Sequence, residues 1–385
     1  MQLDQQILRI PGPTPLPPSV VRAMNHPMHS HSGEETAALM KKLEEKIKPV
    51  FGTSQEVAII GGSGTAGLET AVANAVKPGD EVAVIVTGAF GERFMDICGS
   101  YGIKAHRFDV EWGRAANPSD VKEFLQQHKN AKAVFITHSE TSTGVLNPVA
   151  ELAEAIREAN DALVIVDGVS STGGTETEMD EWGVDFFITS SQKSMMLAPG
   201  LAFVAISKRA WKTIEANGQP RFYFDLLKYR ESMAKNTTPF TPSLSLMYGL
   251  DRVLDLMHAE GLKNVYKRHE LMKNMTRTAF KALDIPLLAD DAAASPTVTA
   301  VKPKDFKAED LKKILKEEFN LEVASGLQKL EGEIFRIGHM GYCTPADMLQ
   351  AISAIEIGLH KLGKHIPYGA GTIAAQQVYI SQKNS

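Results

Sequence analysis

Cysteine is nearly missing from this chain. Its 385 residues include two, Cys98 and Cys343, too far apart in sequence to form a metal-binding or redox pair. Such sparse use suits a reducing compartment. An excess of one charge is missing too. The 46 acidic and 41 basic residues are intermixed and leave a net charge of -5, so there is no electrostatic footprint for nucleic acid. No apolar run is long enough to span a membrane. The start, Met1-Gln2-Leu3-Asp4-Gln5-Gln6, has neither the basic residues nor the apolar block of a signal peptide. The end, Gln382-Lys383-Asn384-Ser385, is not a peroxisomal address. The expectation is a cytoplasmic protein with no membrane and no nucleic-acid partner. There is no internal repeat and no low-complexity tract.

What is present is an ordinary globular composition, 43% hydrophobic and 23% charged, in a chain long enough for one large and one smaller domain. Short Val- and Ile-rich runs alternate with amphipathic stretches from Glu56 to Ser207. The expected strands are Val57–Ile60, Glu81–Val86, Ala133–Thr137, Leu163–Val166, Phe186–Thr189 and Ala202–Ile206. Several are apolar at every position, as strands covered on both faces should be. With helices such as Ser119–His128 and Pro148–Ala159 between them, they predict a mostly parallel α/β sheet. Later segments are helical and charge-rich (Asp251–Ala282, Ala308–Phe319). Strands are expected near Thr297–Val301 and Ile334–Ile337, then a long helix at Thr344–Leu362. The prolines at 11, 13, 15, 17 and 18 predict an extended arm. The division is an arm over 1–18, a large α/β domain over 19–255 and a small α+β domain over 256–385. Gly369-Ala370-Gly371 in the tail reads as a flexible turn.

Lys193 is the residue that says most. It ends the strand-like run Ile188-Thr189-Ser190-Ser191-Gln192, where an ammonium is costly unless it has a task. One such task is imine formation with an aldehyde cofactor, which needs a lysine of lowered pKa. Asp167 closes the preceding apolar run, so the sheet could present pyridoxal phosphate together with a partner for its ring nitrogen. The bland alternative is a surface lysine after a strand. Gly61-Gly62-Ser63-Gly64-Thr65-Ala66-Gly67 follows a strand and opens a helix, which offers free amides to a phosphate. Its glycines also fit the dinucleotide fingerprint, yet the next strand ends Val86-Thr87-Gly88 with no acid for a ribose, which argues against NAD. A tight turn needing glycine for its angles explains the same residues.

Phe90, in a glycine-flanked loop, can stack on a flat heterocycle or simply pack. The hydroxyl-rich run Thr137-His138-Ser139-Glu140-Thr141-Ser142-Thr143-Gly144 stands at a strand end, where ligands of open sheets collect. A self-satisfied turn is the alternative. Arg336, inside the apolar strand around Ile334–Ile337, could grip a carboxylate or lie on an edge strand with its head in water. His26, His29 and His31 adjoin no cysteine and are better explained by a polar arm than by a metal. Lys263–Lys281 reads as a solvated helix face.

Taken in order and spacing, Ser191-Gln192-Lys193 with Pro199-Gly200, His138 to Val145, and Asp167-Gly168-Val169-Ser170-Ser171 resemble the class V aminotransferases of pyridoxal-phosphate fold-type I. The likeness is greatest to the alanine–glyoxylate and serine–pyruvate branch, from Pro11-Gly12-Pro13-Thr14 to about Leu362. The resemblance implies a large domain with a seven-stranded-type sheet and pyridoxal 5'-phosphate as cofactor. It also implies transfer of an amino group from alanine or serine to glyoxylate or pyruvate by ping-pong kinetics. It casts Lys193 as the internal aldimine lysine and proton shuttle, and Asp167 as the pyridinium partner. Ser63, Gly64, Thr65 and Gln192 would hold the phosphate. Phe90 and Val169 would cover the two ring faces, Thr141 would lie near the ring oxygen, and Arg336 would bind the substrate carboxylate. In the homodimer that the family forms, Thr238 and Thr241 would reach the partner's phosphate, with Thr238 where some relatives have tyrosine. The small arm at Gly12 would leave room only for short substrates. A phosphonate transaminase such as one for 2-aminoethylphosphonate, a cysteine desulfurase, and a non-catalytic nucleotide binder are the alternatives.

Overall fold

Residues 6–383 are described by the computed structural model; residues 1–5 of the expected arm and the last two residues of the chain lie outside them. Ile7–Leu8 forms a short strand, β1, and the proline-rich stretch after it stays extended. Proline fixes φ and offers no backbone donor, so neither helix nor ladder can form there. A helix starts at Pro18, a first-turn position where the missing N–H has no role: α1 (Pro18–Met24), then α2 (Glu34–Ile47). Strands and helices then alternate: β2 (Glu56–Gly61), α3 (Gly64–Ala75), β3 (Glu81–Val86), α4 (Ala89–Ser100), β4 (Lys104–Asp109), α5 (Pro118–Gln127) and β5 (Ala131–Thr137). A small antiparallel pair, β6 (Ser139–Glu140) with β7 (Val145–Leu146), interrupts the pattern. It resumes with α6 (Val149–Ala159), β8 (Leu163–Asp167), β9 (Phe186–Ser190), β10 (Leu201–Ile206) and α7 (Lys208–Ala216).

Seven of these strands form one sheet in the order β2-β10-β9-β8-β5-β3-β4, with β10 antiparallel to both neighbours and the other pairs parallel. The mostly parallel sheet expected from the apolar runs is therefore present. Side chains alternate between its faces. Val164 and Val166 enter the core under α2, while Leu163 and Ile165 enter the one under α3 and α4. That parity puts Asp167 and Ser190 on the face covered by α3. Helix α3 sits close to the sheet because Gly67 lacks a side chain; a Cβ there would lie 2.7 Å from Ile188 Cγ2.

The chain continues through α8 (Leu226–Met233) and α9 (Leu244–Glu260). The single helical stretch expected over Asp251–Ala282 is two helices. Gly261, at φ 82°, ends α9, and α10 (Leu262–Ala282) leads into a separate core. There follow β11 (Val298–Val301), α11 (Ala308–Phe319), β12 (Leu321–Glu322), β13 (Ala324–Ser325), β14 (Phe335–Gly338), α12 (Pro345–Lys361) and α13 (Ala370–Lys383). Strand β14 lies between β11 and β13, antiparallel to both. The arm is anchored to this part of the molecule, since β1 pairs in parallel with β12.

One expectation is corrected here. Gly369-Ala370-Gly371 is not a flexible turn but the entry to α13. The buried Glu356 of α12 accepts the N–H groups of Gly371 (2.8 Å) and Thr372 (3.2 Å), and a carboxylate favours a helix N-terminus. Among the described residues no helix is long and apolar enough to cross a membrane.

Candidate active site

The C-terminal ends of β2, β3, β5, β8 and β9 share one edge of the sheet, and the expected site residues other than Arg336, Thr238 and Thr241 lie at or just after those ends. After β2 the chain turns at Gly62-Ser63 into α3, which no side chain caps. Gly64 lets this turn lie against its neighbours; a Cβ would stand 2.9 Å from Val169 Cγ2 and 3.3 Å from Ser190 Oγ. Ser190 Oγ and Gln192 Oε1 are buried without a partner among the described residues. The two ends of a glutamine amide are interchangeable by a flip, so Gln192 can present a donor as well. An uncapped helix start beside unpartnered polar atoms fits a phosphate group.

Lys193 is held in a tight turn beyond β9. Ser191 Oγ donates to the Ala198 carbonyl (2.7 Å), and the N–H of Leu197 reaches back to the Ser191 carbonyl (3.0 Å). Thr14 of the arm donates its N–H to the Gln192 carbonyl (3.1 Å) and its hydroxyl to the Lys193 carbonyl (3.0 Å). The Lys193 ammonium itself donates to the Pro11 carbonyl and not to a carboxylate. Burial pushes its pKa down to about 8; the Arg336 and Arg93 charges push the same way and Asp167 opposes them. Gly12, at φ 97°, is where the arm crosses this side chain. A Cβ there would meet Lys193 Cδ at 2.5 Å and Nζ at 3.0 Å.

Asp167 accepts one hydrogen bond among the described residues, from Val169 N–H at 2.8 Å. Burial pushes its carboxyl up to about 7; the Glu140 charge adds to this, and Arg93 and Lys193 counter it. Thr141 Oγ1 and Ser170 Oγ are 2.6 Å apart, which ties the loop after β5 to the loop after β8. Asn147 joins the ends of β3 and β5, donating to Thr87 Oγ1 (2.9 Å) and the Thr137 carbonyl (2.7 Å). Thr87 is thus occupied at the place where a nucleotide site would need an acid.

Arg336 does not lie on an edge strand, because β14 is the middle of its sheet. Its Nε donates to the Ser325 carbonyl (2.8 Å) and one terminal nitrogen to the Thr141 carbonyl (3.1 Å). Both acceptors are neutral. Burial lowers its pKa to about 10.

Thr238 and Thr241 are not brought to this edge by any hydrogen bond of the same chain among the described residues. Thr238 donates to the Phe240 carbonyl (2.7 Å), and Thr241 is exposed. His26 stacks on Tyr248 (centroids 4.3 Å apart) and His29 pairs with Glu35. No group of three or more His, Cys, Asp and Glu suited to a metal ion occurs among the described residues. Cys98 and Cys343 are both buried, and burial pushes their thiols up to about 12 and about 11.

Sequence reasoning missed two charged residues here. Glu140, inside the polar run after β5, was passed over in favour of the hydroxyls around it. Arg93 lies one helical turn beyond Phe90, with its guanidinium 4.5 Å from that ring's centroid and 3.3 Å from Thr65 Oγ1. The i, i+3 spacing from an expected stacking residue was the available signal.

Comparison with known proteins identifies the family. The family model for aminotransferase class V matches residues 7–363. A protein of Synechococcus named soluble hydrogenase, small subunit, is 42% identical over 97% of this chain and 98% of its own length. The serine–glyoxylate aminotransferase of Methylorubrum extorquens is 35% identical over 96% and 94%. The solved structure of ureidoglycine–glyoxylate aminotransferase from Bacillus subtilis, 30% identical, superposes with a TM-score of 0.92 over 98% of this chain and 99% of that one. On the family match and the near-complete coverage of these relatives, the chain belongs to the class V aminotransferases, enzymes that depend on pyridoxal 5'-phosphate.

Proposed function

We propose that this aminotransferase moves the amino group of alanine or serine to glyoxylate or pyruvate, in two half-reactions centred on Lys193. The observation that carries the reading is a partly buried lysine of lowered pKa, unpaired with a carboxylate, beside an under-bonded aspartate and a buried arginine. Bound pyridoxal phosphate supplies an aldehyde for the amino group and a ring that accepts the electrons released at the α-carbon.

The chain's residues divide the remaining work. Ser63, Gly64, Thr65 and Gln192 hold the phosphate. Phe90 and Val169 flank the ring, and Thr141 donates to its oxygen. Asp167 keeps a proton on the ring nitrogen. Near neutral pH a lysine of pKa about 8 can take up and return a proton, so Lys193 Nζ carries the substrate's α-proton. Arg336 binds the substrate carboxylate with paired N–H groups. The arm at Gly12 packs on Lys193, which supports substrates with short side chains. Glyoxylate stands in the names of both aminotransferase relatives above, and we assign it here as an acceptor. Residues 1–18 act as the arm, 19–255 as the cofactor domain and 256–385 as the small domain. The chain works as a homodimer in which Thr238 and Thr241 complete the phosphate site of a second copy. In its own chain the Thr238 hydroxyl is spent on the Phe240 carbonyl and Thr241 is exposed, which supports that assignment.

The rival readings are weaker. A hydrogenase activity like that in the Synechococcus relative's name would call for a redox centre, and the described residues hold no suitable donor set. A desulfurase needs a mobile thiol, whereas both cysteines are buried. A phosphonate substrate needs further cations, and Arg93 is engaged by Thr65 and Phe90.

Visible absorption of the purified protein tests the proposal. A yellow band that bleaches with alanine or serine, and borohydride fixation of the cofactor at Lys193, are expected. Double-reciprocal plots should run parallel. A protein that stays colourless with added pyridoxal phosphate would overturn the reading.

A further inference from the structure

Glu140 carries a buried charge that none of these steps uses. It has 0% exposure, and burial pushes its carboxyl up while four hydrogen bonds oppose that shift. Its Oε1 accepts the N–H (3.0 Å) and the O–H (2.5 Å) of Ser142. Its Oε2 accepts the N–H groups of Phe90 (3.1 Å) and Gly91 (3.4 Å). Ser142 Oγ in turn accepts the N–H of Ala89 at 2.9 Å. The three amides that open α4 therefore all end on one pair of residues from the loop after β5.

The preceding residue, Gly88, offers no cap of its own, and a Cβ on it would overlap Glu140 and Ser142. Only a glycine lets the helix start approach the carboxylate so closely. A carboxylate at a helix N-terminus is favoured by both the dipole and the charge-assisted bonds. Phe90 is the second residue of that helix, so the direction of its ring follows from how this turn is held.

We infer that Glu140 is a positioning residue for the cofactor, holding the first turn of α4 so that the Phe90 ring is fixed at its stacking face. The inference rests on the proposed role of Phe90. A carboxylate that only stabilised the fold would hold the same hydrogen bonds, so stability alone does not separate the two roles.

A double-mutant cycle on cofactor affinity does. Cofactor-free wild type, Glu140→Gln, Phe90→Leu and the double variant are titrated with pyridoxal phosphate, and binding is followed by equilibrium dialysis and visible circular dichroism. Phe90→Leu should weaken binding by about two- to tenfold, the scale of aromatic stacking. Glu140→Gln should weaken it by a similar factor in the wild-type background and reduce the visible dichroism in the same way, but have little further effect in the Phe90→Leu background. Equal losses in both backgrounds would overturn the inference. Should Glu140→Gln fail to fold, Ser142→Ala loosens the same turn with the carboxylate kept. It should show the same coupling to Phe90, and additive losses would again overturn the inference. Failure of the wild type to bind would overturn the proposed function, and this inference with it. Binding by the wild type with additive variants would overturn the inference alone.

Discussion

Asp167 and Asp185 stand at opposite ends of neighbouring strands, both buried, and the chain treats them in opposite ways. Asp185, just before β9, accepts the N–H of Val164 (2.9 Å), the hydroxyl of Ser207 (2.8 Å), and Nε (3.0 Å) and a terminal nitrogen (2.5 Å) of Arg209. Asp167, closing β8, accepts a single backbone N–H and has its pKa raised to about 7. The first is saturated by its own chain and fastens β8, β9 and α7 together. The second is left short, as a group reserved for a ligand would be. Burial alone therefore does not separate a structural carboxylate from a functional one. The number of donors it receives separates a carboxylate saturated by its own chain from one left open to a ligand.

If the contrast is functional, the two asparagine variants should fail in different assays. Asp167→Asn should lower kcat/KM for transamination by roughly 10²–10⁴-fold, the usual range for a positioned proton-holding group. Steady-state kinetics of the cofactor-loaded enzyme measure this, and a loss under threefold would break the comparison. Asp185→Asn should leave the cofactor's visible band intact per folded molecule, yet cost about 1.5–3 kcal/mol of stability by weakening the charge-assisted bonds to Arg209, which keeps Asp161 as its other partner. Urea denaturation reads that loss. Arg336→Ala extends the contrast to the cation of the site. It should raise KM for carboxylate substrates by roughly 10–100-fold, as charge-assisted hydrogen bonds are worth about 1.5–3 kcal/mol.

The smallest effect concerns the cofactor-free chain. With a folded pKa of about 7 against an ordinary value of 3.8, folded Asp167 keeps its proton where the unfolded residue has lost it. The burial penalty thus sets in as pH rises from about 3.8 and is complete above about 7. Lys193 runs the other way: its penalty is complete below about 8 and is relieved toward 10.5. Asp167→Asn should therefore stabilise the cofactor-free protein by about 1–3 kcal/mol at pH 8 and hardly at all at pH 4. Thermal unfolding at the two pH values checks the sign.

Much of the large sheet was legible because its inner strands are covered on both faces and so read as unbroken Val and Ile runs. Strand β4 was not, since Lys104–Asp109 lies at the sheet's edge, with polar side chains at several positions and partly or fully exposed along its length. The tail's helix was hidden for another reason: its start depends on Glu356, a residue of a different helix. The strand-end residues Asp167 and Lys193 could be proposed from position alone. Glu140 could not, because its importance comes from what it touches across the fold, and Arg93 only through its i, i+3 spacing from Phe90.

The N-terminal arm is held at both of its ends. Residues 7–8 are stitched to β12, Gly338 N–H is bonded to the Arg9 carbonyl at 2.8 Å, and Arg9 pairs with Asp347 at the start of α12. Two residues further on, Pro11 takes the hydrogen bond of Lys193, which follows β9 of the seven-stranded sheet. The arm is thus a tether whose far end competes for the reactive nitrogen. Any ligand that claims that nitrogen must displace the Pro11 carbonyl, so a weaker hold of the arm would leave the nitrogen more readily available to its ligand.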